Sequence, residues 1–294
     1  MHATSKSLVT LAITAILGSS PAQAVVVDFL YNTPTDGSGK TSRFIPTNNM
    51  PSAATGYFIE TFDQATNQGV AGVSGPYAGQ TSGGANQTAP YIGIVQNQGC
   101  AINTLAIAGA LTVSDGSFTV RKGTVSGVGA TPANDTTCFG FGPGPSPRND
   151  GSNATVRVDY SAFLDPNVKI SYLGLYYGSI DTYNNIAFYS GGALVTGGGG
   201  ILDDGVITGQ EVLTEFGGSS GNQTSNNSNV YVNLFFAANE TFDGFEFRTT
   251  GVAFEVDNIV TGLTNRNDVP EPGTLALLGI ALAAIGVVGS KRRV

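Results

Sequence analysis

The chain has 294 residues, 41 of them Gly, with 21 Asp and Glu against 13 Lys and Arg and a formal net charge of −8. Lys6, Lys291, Arg292 and Arg293 lie at the ends, so the stretch from Val25 to Ser290 sets all 21 acidic residues against nine basic ones, a net charge of about −12. Phosphate contact needs clustered Lys and Arg, so nucleic-acid binding is disfavoured. The single histidine is His2, which leaves the rest of the chain without a Ser-His-Asp or Cys-His site or an ordinary zinc site.

The N-terminus follows the order of an export signal: a charge at Lys6, an apolar run Leu8–Leu17, and Ala22-Gln23-Ala24 behind Pro21. This predicts a signal peptide over 1–24 and a mature chain starting near Val25. About 245 residues then precede the C-terminal tail, enough for one large domain or two small ones, and one domain is expected, bounded at 25–265.

Short β-type runs recur between Gly, Pro and Asn turns: Tyr57–Phe62, Phe118–Lys122, Val156–Tyr160, Lys169–Tyr177, Asn185–Tyr189, Val230–Phe236, Phe245–Arg248 and Val252–Val256. In Phe245-Glu246-Phe247-Arg248 the rings share one face and the charges the other. Phe254 and Val256 repeat the pattern, with Glu255 and Asp257 expected to point outward. Thr250-Gly251 reads as a hairpin turn. Phe139–Gly151 and Gly217–Asn229 read as loops. Many short strands with frequent turns predict an all-β fold, an antiparallel, jelly-roll-like β-sandwich. It would be flanked by the signal peptide and a hydrophobic C-terminal helix.

The mature chain has two cysteines, Cys100 and Cys138. In an oxidising compartment the pair most simply forms one disulfide, contributing about 3–4 kcal/mol by loop closure.

Ile59-Glu60-Thr61-Phe62-Asp63 and Phe254-Glu255-Val256-Asp257-Asn258-Ile259 resemble the first and last strands of carbohydrate-binding jelly-roll modules. That resemblance implies a shared structural calcium with Asp63 and Asp257 as ligands, and Glu60 and Glu255 as lesser candidates. Asp203–Glu211 looks like the second half of an EF-hand loop, but Gly200 and Leu202 fall where oxygen ligands belong, so no calcium is expected there.

Tyr176-Tyr177-Gly178-Ser179-Ile180-Asp181-Thr182-Tyr183-Asn184, followed by Phe188-Tyr189, is similar to a stretch found in a group of exosortase-dependent surface proteins. Rings beside Asp and Asn are what a sugar site uses, which makes Tyr177, Asp181, Tyr183 and Asn184 candidate ligand-binding residues.

Pro270-Glu271-Pro272, the apolar run Leu275–Gly289 and the basic end Lys291-Arg292-Arg293 resemble a PEP-CTERM sorting tail, placed at 266–294. Fifteen helical residues reach about 23 Å, short of the roughly 30 Å hydrocarbon core, yet able to span with local thinning or snorkelling. The basic end belongs on the cytoplasmic side. The resemblance implies a temporary inner-membrane tether, processing by exosortase, and delivery to the cell surface or extracellular matrix. The expected role is therefore that of an exported, non-enzymatic protein, structural or associated with exopolysaccharide. The alternative is a carboxylate-based glycan hydrolase or lyase, for which Asp159, Asp181 and Glu246 are candidate acids.

Overall fold

The computed structural model describes residues 25–49, 56–63, 94–96, 100, 102, 111–113, 117–144, 154–161, 164–196 and 200–264. The expected signal peptide, the sorting motif Pro270, Glu271 and Pro272, and the tail helix lie outside these residues.

The elements in chain order are β1 (Val26–Asp28), β2 (Tyr31–Asn32), β3 (Thr41–Ser42), β4 (Tyr57–Glu60), β5 (Ile94–Gln96), β6 (Leu111–Val113), β7 (Ser117–Lys122), β8 (Cys138–Gly144), β9 (Ala154–Asp159), β10 (Ile170–Gly178), β11 (Asn184–Ser190), β12 (Ala193–Leu194), β13 (Val206–Thr208), α1 (Gly209–Phe216), β14 (Val230–Phe235), β15 (Gly244–Thr249) and β16 (Phe254–Leu263). A larger sheet runs β1-β14-β10-β16-β8-β7-β5, with β4 also pairing β16. A smaller one runs β12-β11-β15-β9-β6, with β13 also pairing β11. All these pairings are antiparallel except β5 with β7, so the chain is an all-β sandwich.

Period-2 alternation builds the interior. In β9 the inward residues Val156 and Val158 alternate with half-buried Thr155, Arg157 and Asp159. Val156, Val158, Phe188, Phe245 and Phe247 of the smaller sheet meet Leu173, Leu175, Tyr177, Val232, Phe254 and Val256 of the larger one in the main core. Phe247 and Phe254 lie 4.3 Å apart across it. Burying each such side chain contributes about 1.5–3 kcal/mol.

The outer face of the larger sheet is covered as well. The β2–β3 hairpin and its flanks form a strap that packs on β10, β14 and β16. Ile45 and Phe44 of the strap close over Tyr57, Ile59, Tyr172 and Val260. Under this cover, Tyr172 donates to Asn233 Oδ1 at 2.6 Å and pairs with Ser42 Oγ at 2.6 Å.

Three expectations are corrected. Thr250-Gly251 is no hairpin turn: β15 pairs β11 and β9, whereas β16 pairs β10, β4 and β8, so the step carries the chain across the sandwich. Of the expected loop Phe139–Gly151, residues 139–144 belong to strand β8. Glu255 and Asp257 do face away from the main core, but they are 4% and 0% exposed because the strap and the 125–137 segment roof that face.

Candidate functional site

The partner of β16 changes midway along one edge. Residues 259–262 pair with β4 and residues 254–256 with β8, leaving Asp257 and Asn258 at the junction. On the other edge the register with β10 shifts between Gly174 and Tyr176, and Asn258 has φ 45°. This bulge directs two successive polar side chains under the strap. Asn258 Nδ2 donates to the carbonyls of Ser38 and Lys40 at 3.0 and 2.9 Å and to Ser38 Oγ at 2.8 Å. Asn49 Nδ2 donates to Asp36 Oδ2 at 2.6 Å and to Ser38 Oγ at 2.9 Å.

Two further acids reach the same junction. Asp63, just past β4, accepts the Cys138 N–H at 2.9 Å. Asp135, just before β8, uses Oδ1 to accept the Thr137 N–H and hydroxyl, both at 2.8 Å, and is bridged to Ser38 through the main chain. As carboxylates, Asp135 Oδ2 and both oxygens of Asp257 have no hydrogen-bond partner. Burial, then the charges of Asp135 and Asp63, pushes Asp257 well above the usual carboxylate range. Burial lifts Asp135 to about 6, and its carboxyl stands close enough to Asp257 to share a proton. Burial also raises Asp63. Among the described residues, no group of three or more His, Cys, Asp or Glu side chains is placed to hold a metal ion.

Glu60 and Glu255 stand apart from this junction. Glu60 Oε1 accepts the Phe62 N–H at 2.8 Å. Glu255 accepts from Ala130 N–H at 3.1 Å and Ser179 Oγ at 3.0 Å, and burial pushes its carboxyl to about 8. Beside it, Asn229 Oδ1 accepts the N–H groups of Ala133 and Ser179, both at 3.0 Å. Its Nδ2 donates to the carbonyls of Asn222 and Ser225 at 2.8 and 2.9 Å.

The tyrosine-rich stretch divides by burial. Tyr177 is fully buried, stacked on Phe254 at 4.4 Å, and donates to the Asn184 carbonyl at 3.0 Å. Asn184 is also fully buried and donates to the Ala253 carbonyl at 2.9 Å. Neither is placed to meet an external ligand, because the inter-sheet core claims both. Asp181 and Tyr183 are half-buried. Tyr183 donates to Asp181 Oδ2 at 2.7 Å, and Ser220 Oγ donates to Oδ1 at 3.1 Å. Burial, reinforced by Asp181, raises the Tyr183 hydroxyl. Thr182, Gln210, Thr214 and Ser220 line a shallow depression beside them. Helix α1 is set here by a capping box in which the Thr208 hydroxyl accepts the Glu211 N–H at 3.2 Å while Glu211 takes the Thr208 N–H at 2.7 Å. Glu211 is thus committed to the helix start.

Sequence reasoning missed a polar group on the outer face of the smaller sheet. Arg157 lies over the Tyr189 ring at 3.8 Å. Arg248 donates to the Tyr189 hydroxyl at 2.6 Å and to Glu246 Oε1 at 2.7 Å. Asp159 stands 3.7 Å from Arg157. Strand parity could have gathered Arg157 with Asp159 and Glu246 with Arg248, but not joined the two pairs. Of the candidate acids, Asp159 and Glu246 thus share a face through ion pairs, whereas Asp181 belongs to the β10–β11 turn.

Cys100 and Cys138 form a disulfide with a Cα–Cα distance of 5.6 Å. Among the described residues no helix is long and apolar enough to cross a membrane. The profile of the PEP-CTERM protein-sorting motif matches residues 268–293. That motif marks an exported, surface-directed protein processed by exosortase. Comparison with curated proteins and with solved structures finds no match.

Proposed function

We propose that this PEP-CTERM protein is a non-enzymatic component of the cell exterior, tethered in the inner membrane until exosortase processes its tail and afterwards associated with exopolysaccharide. The observation that carries the polysaccharide reading is the Arg157–Tyr189–Arg248–Glu246 group on the smaller sheet. Its two guanidiniums and its carboxylates are held to one another, so their donors and acceptors are fixed before a ligand arrives. Such pre-ordering lowers the entropy lost on binding. Each Arg is paired with an acid, so the face is close to neutral and suits a hydroxyl-rich polymer more than a polyanion. Asp181 and Tyr183, beside the shallow depression, offer a second polar contact. No histidine serves the mature chain, which leaves acid–base catalysis to carboxylates, Tyr and Lys.

One observation favours hydrolysis as the second reading: Glu246 pairs in register with Arg157, two residues from Asp159. Diagonal neighbours on one sheet face stand about 7–8 Å apart, inside the window for an inverting glycosidase. Retention on immobilised exopolysaccharide, with reducing ends assayed in the eluate, separates the readings. The binding role expects saturable retention, weakened at least tenfold in Arg157→Ala and Arg248→Ala, and no new reducing ends. Absence of retention would remove the polysaccharide role. Release of reducing ends, lost in Glu246→Gln, would replace it with hydrolysis.

A further inference from the structure

The depression beside Asp181 holds about 450 Å³, inside the range of about 300–1,000 Å³ usual for small-ligand sites. Buried Leu213 supplies an apolar floor. The hydrogen-bond donors around it are committed within the protein. Thr214 donates its hydroxyl to the Gln210 carbonyl at 2.7 Å, and Gln210 Nε2 donates to Thr214 Oγ1 at 3.1 Å. Ser220 Oγ and the Tyr183 hydroxyl each donate to one oxygen of Asp181. The N–H groups of Gly217 and Gly218 close the last turn of α1 on the carbonyls of Thr214 and Leu213. What is left for a ligand is mainly acceptor: Gln210 Oε1, the hydroxyl oxygens of Ser220 and Tyr183, and the remaining lone pairs of Asp181. A carboxylate has about four such sites, and two here are taken. Charge has the same sign. Among the described residues no Lys or Arg lines the depression. The C-terminal end of α1, capped at Gly217, brings the negative end of the helix dipole to it.

We infer that this depression binds the ammonium group of an amino sugar. An ammonium carries three donors and no acceptor, which complements a surface whose own donors are committed elsewhere. An anionic sugar carboxylate would bring acceptors to acceptors and negative charge to negative charge. A neutral sugar would bring hydroxyls that match only in part. The inference rests on the polysaccharide reading above and narrows it to polymers that bear free amines. In that division of labour the nearly neutral Arg157–Tyr189–Arg248–Glu246 group meets ring hydroxyls, and the depression selects the charged residue.

Calorimetric titration of the full chain at pH 6 is the test, with the protein produced through its own export signal and purified in mild detergent. Salt at about 0.15 M screens exposed charges more than about 8 Å away, so that the acidity of the chain as a whole contributes little. The probes are a glucosamine hexamer, its N-acetylated counterpart, a glucose hexamer and spermidine. The inference expects the glucosamine hexamer to bind at least tenfold more tightly than the other three. Asp181→Asn removes the carboxylate charge, and Gln210→Lys sets a cation on the exposed rim with a residue equally suited to a helix. Each should abolish the preference for the glucosamine hexamer, and Gln210→Lys carries the test alone should Asp181→Asn fail to fold. Equal affinity for the three hexamers would overturn the inference and leave the polysaccharide reading in place. Spermidine bound as tightly as the glucosamine hexamer would overturn the assignment to a sugar. A preference that survives in both folded variants would overturn it by placing the amine elsewhere. If no hexamer binds, the inference fails, and retention on immobilised exopolysaccharide decides the polysaccharide reading separately.

Discussion

The main-chain N–H of Cys138 donates to the carboxylate of Asp63 at 2.9 Å. Cys138 is also the residue through which the disulfide to Cys100 enters β8. One residue thus ties the covalent cross-link to the acidic junction. The bridge spans a sequence separation of 38, for which loop closure contributes about 4 kcal/mol. Reduction is expected to lower unfolding free energy by about 3–4 kcal/mol in denaturant titration. A loss below about 1 kcal/mol would mean that the bridge constrains little.

Stability should fall with rising pH when divalent cations are chelated. Glu255 titrates near 4.5 when unfolded and about 8 when folded, because of burial. Asp135 moves from 3.8 to about 6, also through burial. Between these values the folded chain holds more protons than the unfolded one, so stability drops as pH rises. The contribution is complete below about pH 4 and gone above about pH 8. Glu255→Gln is expected to flatten the curve between pH 6 and 8 and add about 1–3 kcal/mol at pH 8. Denaturant titrations in EDTA across pH 4–9 read this. A curve that rises from pH 5 to 8 would contradict it.

Asn229 makes four side-chain hydrogen bonds beneath the roof of the larger sheet. Asn229→Ala strands the N–H groups of Ala133 and Ser179 and two carbonyls of the preceding loop. At about 1–3 kcal/mol for each buried group left bare, a loss of about 3 kcal/mol or more is expected by denaturant titration. Faster hydrogen exchange should centre on Ala133 and Ser179.

Gly209 opens α1 directly over the β10–β11 turn. A Cβ there would collide with the Asp181 carbonyl and stand 2.7 Å from that of Asn184. Both obstacles are main chain and cannot rotate away. Gly209→Ala is expected to destabilise the chain by about 2–3 kcal/mol, whereas Gly217→Ala meets no atom within 4 Å and bears only the strain of its φ of 73°. Equal melting points for Gly209→Ala and wild type would show that the helix can move off the turn.

What the sequence revealed followed period-2 alternation and cysteine parity. β9, β10, β14 and β15 were readable because one face of each is continuously apolar. β8 was not, because its glycines suggested a turn. Gly140 is there for packing, since a Cβ would stand 2.9 Å from the Phe62 ring and collide with that of Phe118. Alternation placed Glu255 and Asp257 on the correct face but could not show what covers it, because the strap comes from more than 200 residues earlier. Asp63 and Asp257 were legible as a pair through their neighbouring motifs. Asp135, Asn49 and Ser38 carry no local signal and join them only through folding. Tyr177 was picked out by its polar neighbours, but local sequence does not reveal that its ring stacks on Phe254.

The central claim is that the chain is exported and processed at its tail. The most direct test is the intact mass of the protein recovered from outside the cell, compared between the wild-type chain, Glu271→Ala, and a host lacking exosortase activity. The account expects the extracellular wild-type form to begin near Val25 and to lack the apolar run Leu275–Gly289. It expects Glu271→Ala and the exosortase-deficient host to keep the chain full-tailed and membrane-associated. An extracellular form that retains the tail through Val294, or identical masses in all three, would contradict it.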